Sequence, residues 1–336
     1  MIITRTPFRI PLGGGSTDLP AYYEKHGGFI FSVTVNLYMY LAVNRSPVDD
    51  FIRIKYSQSE AVRTIEELKH NLARGALKRT GFDKMIEITS KADVPDGTGM
   101  GSSASYLVGL LNALYTLKGV NISRRQLAEE AFEIATKELG LPDGKQDFYA
   151  TAFGNFSVLN IGKDGKVAVS NASVSRDTQK KFEKNSLLFY TGLQRLSADL
   201  LHEQQKKIRS GEGKALELKH KIKDIGMDIH KAFEKGDLDK FGKLMDEHWK
   251  HKRKMSDKMS NPRFEEIYSK VRKNGVLGGK ILGAGGGGFF LVYCKDGSHG
   301  KIKKIFKEYG MRHVPIRVDS GGTQVILNHS RDRNTI

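Results

Sequence analysis

Hydrophobic positions along this chain fall into two periods. Apolar runs rich in β-branched and aromatic residues predict strands over residues 2–10 and over Phe29–Asn44, the latter as one long bent strand or two. The same signal predicts strands over Phe51–Tyr56, Met85–Ser90, Asn155–Ile161, Lys166–Ser170, Ser186–Tyr190 and Phe289–Tyr293. Three- and four-residue spacing predicts helices near Thr64–Arg79, from about Ala104 through Leu107, Leu111 and Leu114, and over most of the stretch from Tyr190 to Lys273. Ser123-Arg-Arg-Gln126 reads as a capping-box start of a helix that runs to Leu139 and stops at Gly140. A turn and a short helix are expected within Pro142–Gly154. Both periods fade across the polar segment Ser173–Asn185, which divides the chain into an expected first domain, 1–178, and a second, 179–336.

Three glycine-rich stretches interrupt the pattern, and they carry the candidate chemistry. In Asp93-Val-Pro-Asp-Gly-Thr-Gly-Met-Gly-Ser-Ser-Ala-Ser105, three glycines precede the helix that begins near Ala104. A backbone free to turn there aims N–H groups and the helix dipole at one point, which suits a phosphate. The alternative is a serine-capped turn. In Leu12-Gly-Gly-Gly-Ser-Thr-Asp-Leu19, Asp18 is either a carboxylate presented to a ligand or the N-cap of a helix entered through Pro20. Gly278–Gly288 contains a formal G-x-G-x-x-G at Gly283, Gly285 and Gly288, but a helix precedes it and a strand follows, the reverse of a dinucleotide-binding fingerprint. A Walker A loop also fails, because Asn274 and Ile281 stand where glycine and Ser or Thr belong. The protein-kinase catalytic-loop and metal-binding signatures are absent. What remains is a donor-rich loop able to pack on another ligand-binding loop, or a plain hairpin connection.

Composition narrows the class. At 336 residues the chain is long for one core and suits two domains. No apolar run approaches the roughly 20 residues of a membrane span, the first residues show no signal-peptide pattern, and no membrane association is expected. Cys294 is the single cysteine, so no internal disulfide can form, which fits a cytoplasmic location; its apolar context predicts a buried strand residue. The net charge of +17 suits anionic small substrates or nucleic acid. Many of the lysines lie in helical stretches mixed with acids, as in Glu217-Leu-Lys-His-Lys-Ile-Lys-Asp224, and read as solvated helix faces. No nucleic-acid module is recognisable.

Three motifs, Thr6–Asp18, Pro95–Ala104 and Lys280–Phe289, stand in the order found in the GHMP kinases, and the chain resembles that superfamily. Gly144–Gly154, Leu188–Gly192 and His248–Ser256 are similar to its D-glycero-D-manno-heptose 7-phosphate kinase branch. The resemblance implies an α+β fold of two domains, the first like the second domain of ribosomal protein S5 and the second ferredoxin-like. It implies ATP bound on Pro95, Gly97, Thr98, Gly99, Met100, Gly101, Ser102 and Ser103, braced by Gly285 and Gly286. Ser103 would ligate Mg²⁺, Asp147 would act as general base and Arg9 would stand beside it. The acceptor would meet Gly14, Gly15, Ser16, Thr17, Asp18 and Gln146, with Lys252 and Lys254 available to anchor a sugar phosphate. The branch pattern has a glutamate, as a second metal ligand, where Ala135 stands; Glu133 and Glu138 are nearby. The expected reaction is phosphorylation of the anomeric hydroxyl of a heptose 7-phosphate by a monomer or homodimer. Alternatives are transfer to galactose or fucose, a nucleotide or sugar sensor without catalysis, and a basic RNA-binding protein.

Overall fold

The computed structural model describes residues 1–194, 213–256, 259–283 and 285–329. It has two sheets. The larger runs β12-β1-β2-β5-β3-β4, with β6 pairing on β2 and β7 on β6; its strands are β1 (Ile2–Gly13), β2 (Gly28–Arg45), β3 (Ile52–Lys55), β4 (Ser59–Val62), β5 (Ile86–Ala92), β6 (Phe156–Ile161), β7 (Val167–Asn171) and β12 (Gln324–Asn328). The expected long run at 29–44 is one strand of 18 residues. Its length has a cause in the pairing: Gly28–Val33 bonds β6, whereas Met39–Arg45 bonds β5, so one strand serves two neighbours on the same side. A register shift at Pro7/Phe8 of β1 marks the bend between those halves.

The helices that matter most for the cleft are α3 (Ser102–Lys118), α4 (Arg124–Glu133), α5 (Gln146–Phe153), α7 (Gly213–Glu234) and α8 (Leu238–Arg253); α1 (Pro20–His26), α2 (Asn71–Thr80) and α6 (Arg176–Asn185) complete this part. Helix α3 is buried on nearly every side from Ala104 to Leu114. Gly109 lets it lie against β1, since a Cβ there would sit 2.7 Å from Thr6 Oγ1. Hydroxyls fasten the contact, with Thr4 donating to Gly109 O at 3.0 Å and Ser105 to Pro7 O at 3.1 Å. Beyond α4 the chain makes a π turn over Ile134–Glu138 before reaching Gly140. Ser123 accepts from Gln126 N as a cap, but the Gln126 side chain goes to Glu130 instead of back to the cap.

The smaller sheet has the order β11-β8-β10-β9, built from β8 (Ser186–Tyr190), β9 (Val276–Ile281), β10 (Phe289–Cys294) and β11 (Arg312–Val314), all antiparallel. With the helices between β8 and β9, and α10 (His299–Glu308) between β10 and β11, this is the β-α-β-β-α-β order of a ferredoxin-like unit; α9 (Pro262–Arg272) leads into β9. Cys294 is buried in β10, as its context suggested. Two differences from the sequence reading stand out. The polar segment at 173–185 is mostly helix α6, held to the core by fully buried Phe182. The last described strand, β12, returns to pair with β1, so a cut after residue 178 separates the two sheets but not that strand.

Candidate active site

Two of the three glycine stretches meet backbone to backbone. Gly97, Gly99 and Gly101 have φ of 64°, 78° and 80°, a region side chains resist. A Cβ on Gly99 would lie 2.8 Å from Leu282 O, one on Gly283 2.5 Å from Gly99 Cα, and one on Gly288 2.1 Å from Thr98 O. The segment after β9 is therefore both a hairpin connection and the brace of the first loop. That loop opens directly into α3, whose first turn carries Ser102 and Ser103 and whose first N–H groups have no intrahelical acceptor. Thr98 holds its curvature by donating to Pro95 O at 2.9 Å.

Strand β1 delivers Arg9 to the same point. Its guanidinium donates from Nε to Asp147 Oδ1 at 2.7 Å and from Nη2 to Asp147 Oδ2 at 2.6 Å, and its Nη1 donates to Gly99 O at 2.6 Å. One arginine thus fixes the glycine loop and the carboxylate together. Asp147 lies in the first turn of α5, receives Gln146 Nε2 at 3.0 Å, and keeps 29% of its side chain open where it faces the cleft. Asp18 does not cap α1, whose N-cap is Leu19 with no side-chain cap bond. It turns instead to accept from Gln146 N at 2.8 Å, which Gly144 permits because a Cβ there would fall 2.1 Å from Asp18 Oδ2. Burial pushes the Asp18 carboxyl up from its ordinary range, against the lowering effect of the Gln146 N–H.

These groups line one cleft. Of the expected residues, Arg9, Gly15, Ser16, Asp18, Gln146, Asp147 and Lys252 border it, as do Gly97, Thr98, Gly99, Gly101, Ser102, Ser103 and Gly285. Six do not. Thr17 spends its hydroxyl on Gly14 O and Phe29 O, both at 2.8 Å, and so shapes the loop from behind. Gly14 packs on the Phe29 carbonyl. Pro95 and Met100 support the glycine loop through their carbonyls, and Gly286 donates to Met259 O. Lys254, at the C-cap of α8, is exposed to solvent away from the cleft.

Four residues at the cleft escaped the sequence reading: Asp143, His248 and Lys280 in its lining, and Lys219 behind it. Lys280 and His248 line the cleft directly, while Lys219 stands just behind it with Nζ 3.5 Å from Ser16 O. Asp143 lines the cleft beside the other two acids, and burial, followed by the charges of Asp147 and Asp18, raises its carboxyl to about 7. Lys219 corrects the solvated-face reading of Glu217–Asp224: the Lys221–Glu217 pair on that helix is exposed at 2.6 Å, but Lys219 is fully buried. Glu133 and Glu138 both pair with Arg79, and Ala135 is fully buried and outside the lining, so that helix sends no carboxylate into the cleft.

A glycine loop at a helix N-terminus, with an arginine-held carboxylate beside it in the same cleft, defines a small-molecule kinase that moves a phosphoryl group to an alcohol. The chain matches the GHMP kinases N terminal domain over residues 60–155 and the GHMP kinases C terminal domain over residues 229–310, more than half its length together; it belongs to the GHMP kinases, which use ATP as phosphoryl donor. It is 27% identical to the D-glycero-alpha-D-manno-heptose 7-phosphate kinase of Campylobacter jejuni, covering 92% of this chain and 94% of that one. It is 26% identical to the L-fucokinase/L-fucose-1-P guanylyltransferase of Bacteroides fragilis, covering 96% of this chain and 38% of that one. A D-glycero-D-manno-heptose 1-phosphate kinase from Bacteroides thetaiotaomicron superposes with a TM-score of 0.82 at 24% identity, covering 98% of this chain and all of that one. Among the described residues, no helix is long and apolar enough to cross a membrane.

Proposed function

We propose that this kinase phosphorylates the anomeric hydroxyl of D-glycero-D-manno-heptose 7-phosphate. The observation that carries the reading is the Asp147 carboxylate, open to the cleft and held in place by Arg9 and Gln146, within the same cleft as the glycine loop. In it the triphosphate lies along Gly97–Ser103, where backbone N–H groups and the α3 dipole meet its charge. Asp147 orients the acceptor hydroxyl and takes its proton as the phosphoryl group departs, the role that transfer through a loose transition state asks of a protein base. Asp18 and Gln146 hold neighbouring sugar hydroxyls. The similarity to the Campylobacter jejuni enzyme over most of both chains supports the heptose phosphate over other sugars.

The oxygen donors suit a Mg²⁺ that is held largely by phosphate and water. Ser103 Oγ at the start of α3 is the protein ligand in this reading, and among the described residues no cluster of three His, Cys, Asp or Glu offers a caged site. When bound, the ion would supply positive charge to the transferring phosphate. A cytoplasmic location is supported by the single, buried Cys294.

ADP release measured over a panel of heptose 7-phosphate, unphosphorylated heptose, galactose and fucose tests the assignment. The highest kcat/KM is expected for heptose 7-phosphate; preference for galactose or fucose overturns it. The fucokinase similarity makes fucose the competing acceptor to include.

A further inference from the structure

Positive charge is buried in this cleft beyond what the triphosphate loop uses. Arg9 is committed to Asp147 and Gly99 O. Lys252 and Lys280 are 9% and 2% exposed and have no carboxylate within ion-pair distance among the described residues. Lys252 donates to Gly283 O, and Lys280 to Leu12 O at 3.0 Å. One carbonyl each leaves these three-donor ammonium groups with further N–H bonds to give. Lys219, fully buried, stands in the same group beside Ser16 O. His248 completes it at 2% exposure, and neither of its ring nitrogens has a partner. Burial pushes Lys219 and Lys252 down to about 7, and burial with the surrounding cations drives His248 well below its ordinary value.

Asp18 is a charge partner for Lys219, but Lys252 and Lys280 have no such carboxylate among the described residues; buried charge of that kind is costly, so the arrangement asks for an anion. Its side of the cleft says which one. Lys280 and Lys219 reach the carbonyls of Leu12 and Ser16, in the Leu12–Leu19 segment that also carries Asp18, and so they lie against the acceptor loop instead of α3. We propose that Lys252 and Lys280, with Lys219 and the His248 ring, form a seat for a phosphate monoester carried by the acceptor itself. This rests on the reading that the acceptor is a sugar phosphate, and names the residues that would select it. The ammonium groups donate to the phosphate oxygens. Neutral His248 gives its one N–H to the same anion while its other nitrogen accepts from a neighbouring lysine.

The test compares kcat/KM for heptose 7-phosphate and for unphosphorylated heptose in the wild type, Lys252→Met and Lys280→Met, together with inorganic phosphate as an inhibitor of the wild type. Each substitution is expected to cut the preference for the phosphorylated acceptor about 10- to 100-fold, the scale of one charge-assisted hydrogen bond, with a much smaller change in KM for ATP. Inorganic phosphate is expected to compete with the acceptor and not with ATP. A preference that survives both substitutions, or a rise confined to KM for ATP, overturns the seat. Should both variants fail to fold, the inhibition pattern decides: competition with ATP, or with neither substrate, overturns it. Wild-type turnover confined to unphosphorylated sugars would instead remove the functional reading on which the seat rests.

Discussion

The carboxylate of Asp147 is fixed by three hydrogen bonds yet still faces the cleft, and the role proposed for it as a base rests on that combination. Asp147→Asn should keep ATP affinity, measured by calorimetry, and lose turnover by about 10²–10⁴-fold. Asp143 predicts a pH effect on stability. Its carboxyl stands at about 7 in the folded chain against an ordinary 3.8, so the folded state holds a proton that the unfolded state has lost between those values. That contribution favours folding below about pH 4 and disappears as pH rises through about 7. Melting temperatures at pH 5 and pH 8 should therefore differ more, in favour of pH 5, for the wild type than for Asp143→Asn; equal differences would contradict it. At this scale the sequence was legible where a motif names a position, as for Arg9, Asp18 and Asp147. It was not for Lys219, because a lysine among alternating charges looks the same whether its helix face meets water or the Leu12–Leu19 loop. Only the packing of α7 decides, at a point where Gly226 allows contact: a Cβ there would lie 2.4 Å from Gly14 N.

Among the elements, the paired glycine loops make the sharpest prediction. At Gly288 a side chain would meet the Thr98 carbonyl at 2.1 Å, with φ at +81°, so there is neither room nor an allowed conformation. Gly288→Ala should raise KM for ATP and lower stability by about 1–3 kcal/mol, read from urea unfolding. Gly300, inside α10 with nothing within 4 Å of an added Cβ, is the contrast. Gly300→Ala should leave KM for ATP unchanged and raise stability by up to about 1 kcal/mol. Most elements could be read from periodicity, including the 18-residue β2 and the start of α3 close to its expected place. Two could not. Strand β9 is Val-Leu-Gly-Gly-Lys-Ile, and its glycines hide a strand that exists because Gly278 lies against the Gly242 carbonyl of α8 and Gly279 against Leu291 O. Helix α6 is too polar to show its face, and its single large apolar anchor, Phe182, becomes visible only beside Phe156 and Phe233.

Across the whole molecule, the cleft draws residues from β1, α3, α5, α8 and β9, and thus from both sheets. Asp147 and the Gly97–Ser103 loop come from the first part of the chain, while Lys252, Lys280 and the bracing glycines come from the second. The overall architecture was legible because the three glycine motifs stand in a family order; the return of β12 to β1 was not, since five short residues near the end carry no signal of their partner. The proposed reaction is transfer from ATP to an acceptor hydroxyl assisted by Asp147. The most direct measurement follows that transfer by phosphorus NMR, with ATP and heptose 7-phosphate, in the wild type and in Asp147→Asn at equal ATP occupancy. A second, anomeric phosphate signal is expected to form with the wild type and to be slowed about 10²–10⁴-fold in the variant. Equal rates in the two proteins, or a new phosphate elsewhere on the sugar, would contradict it.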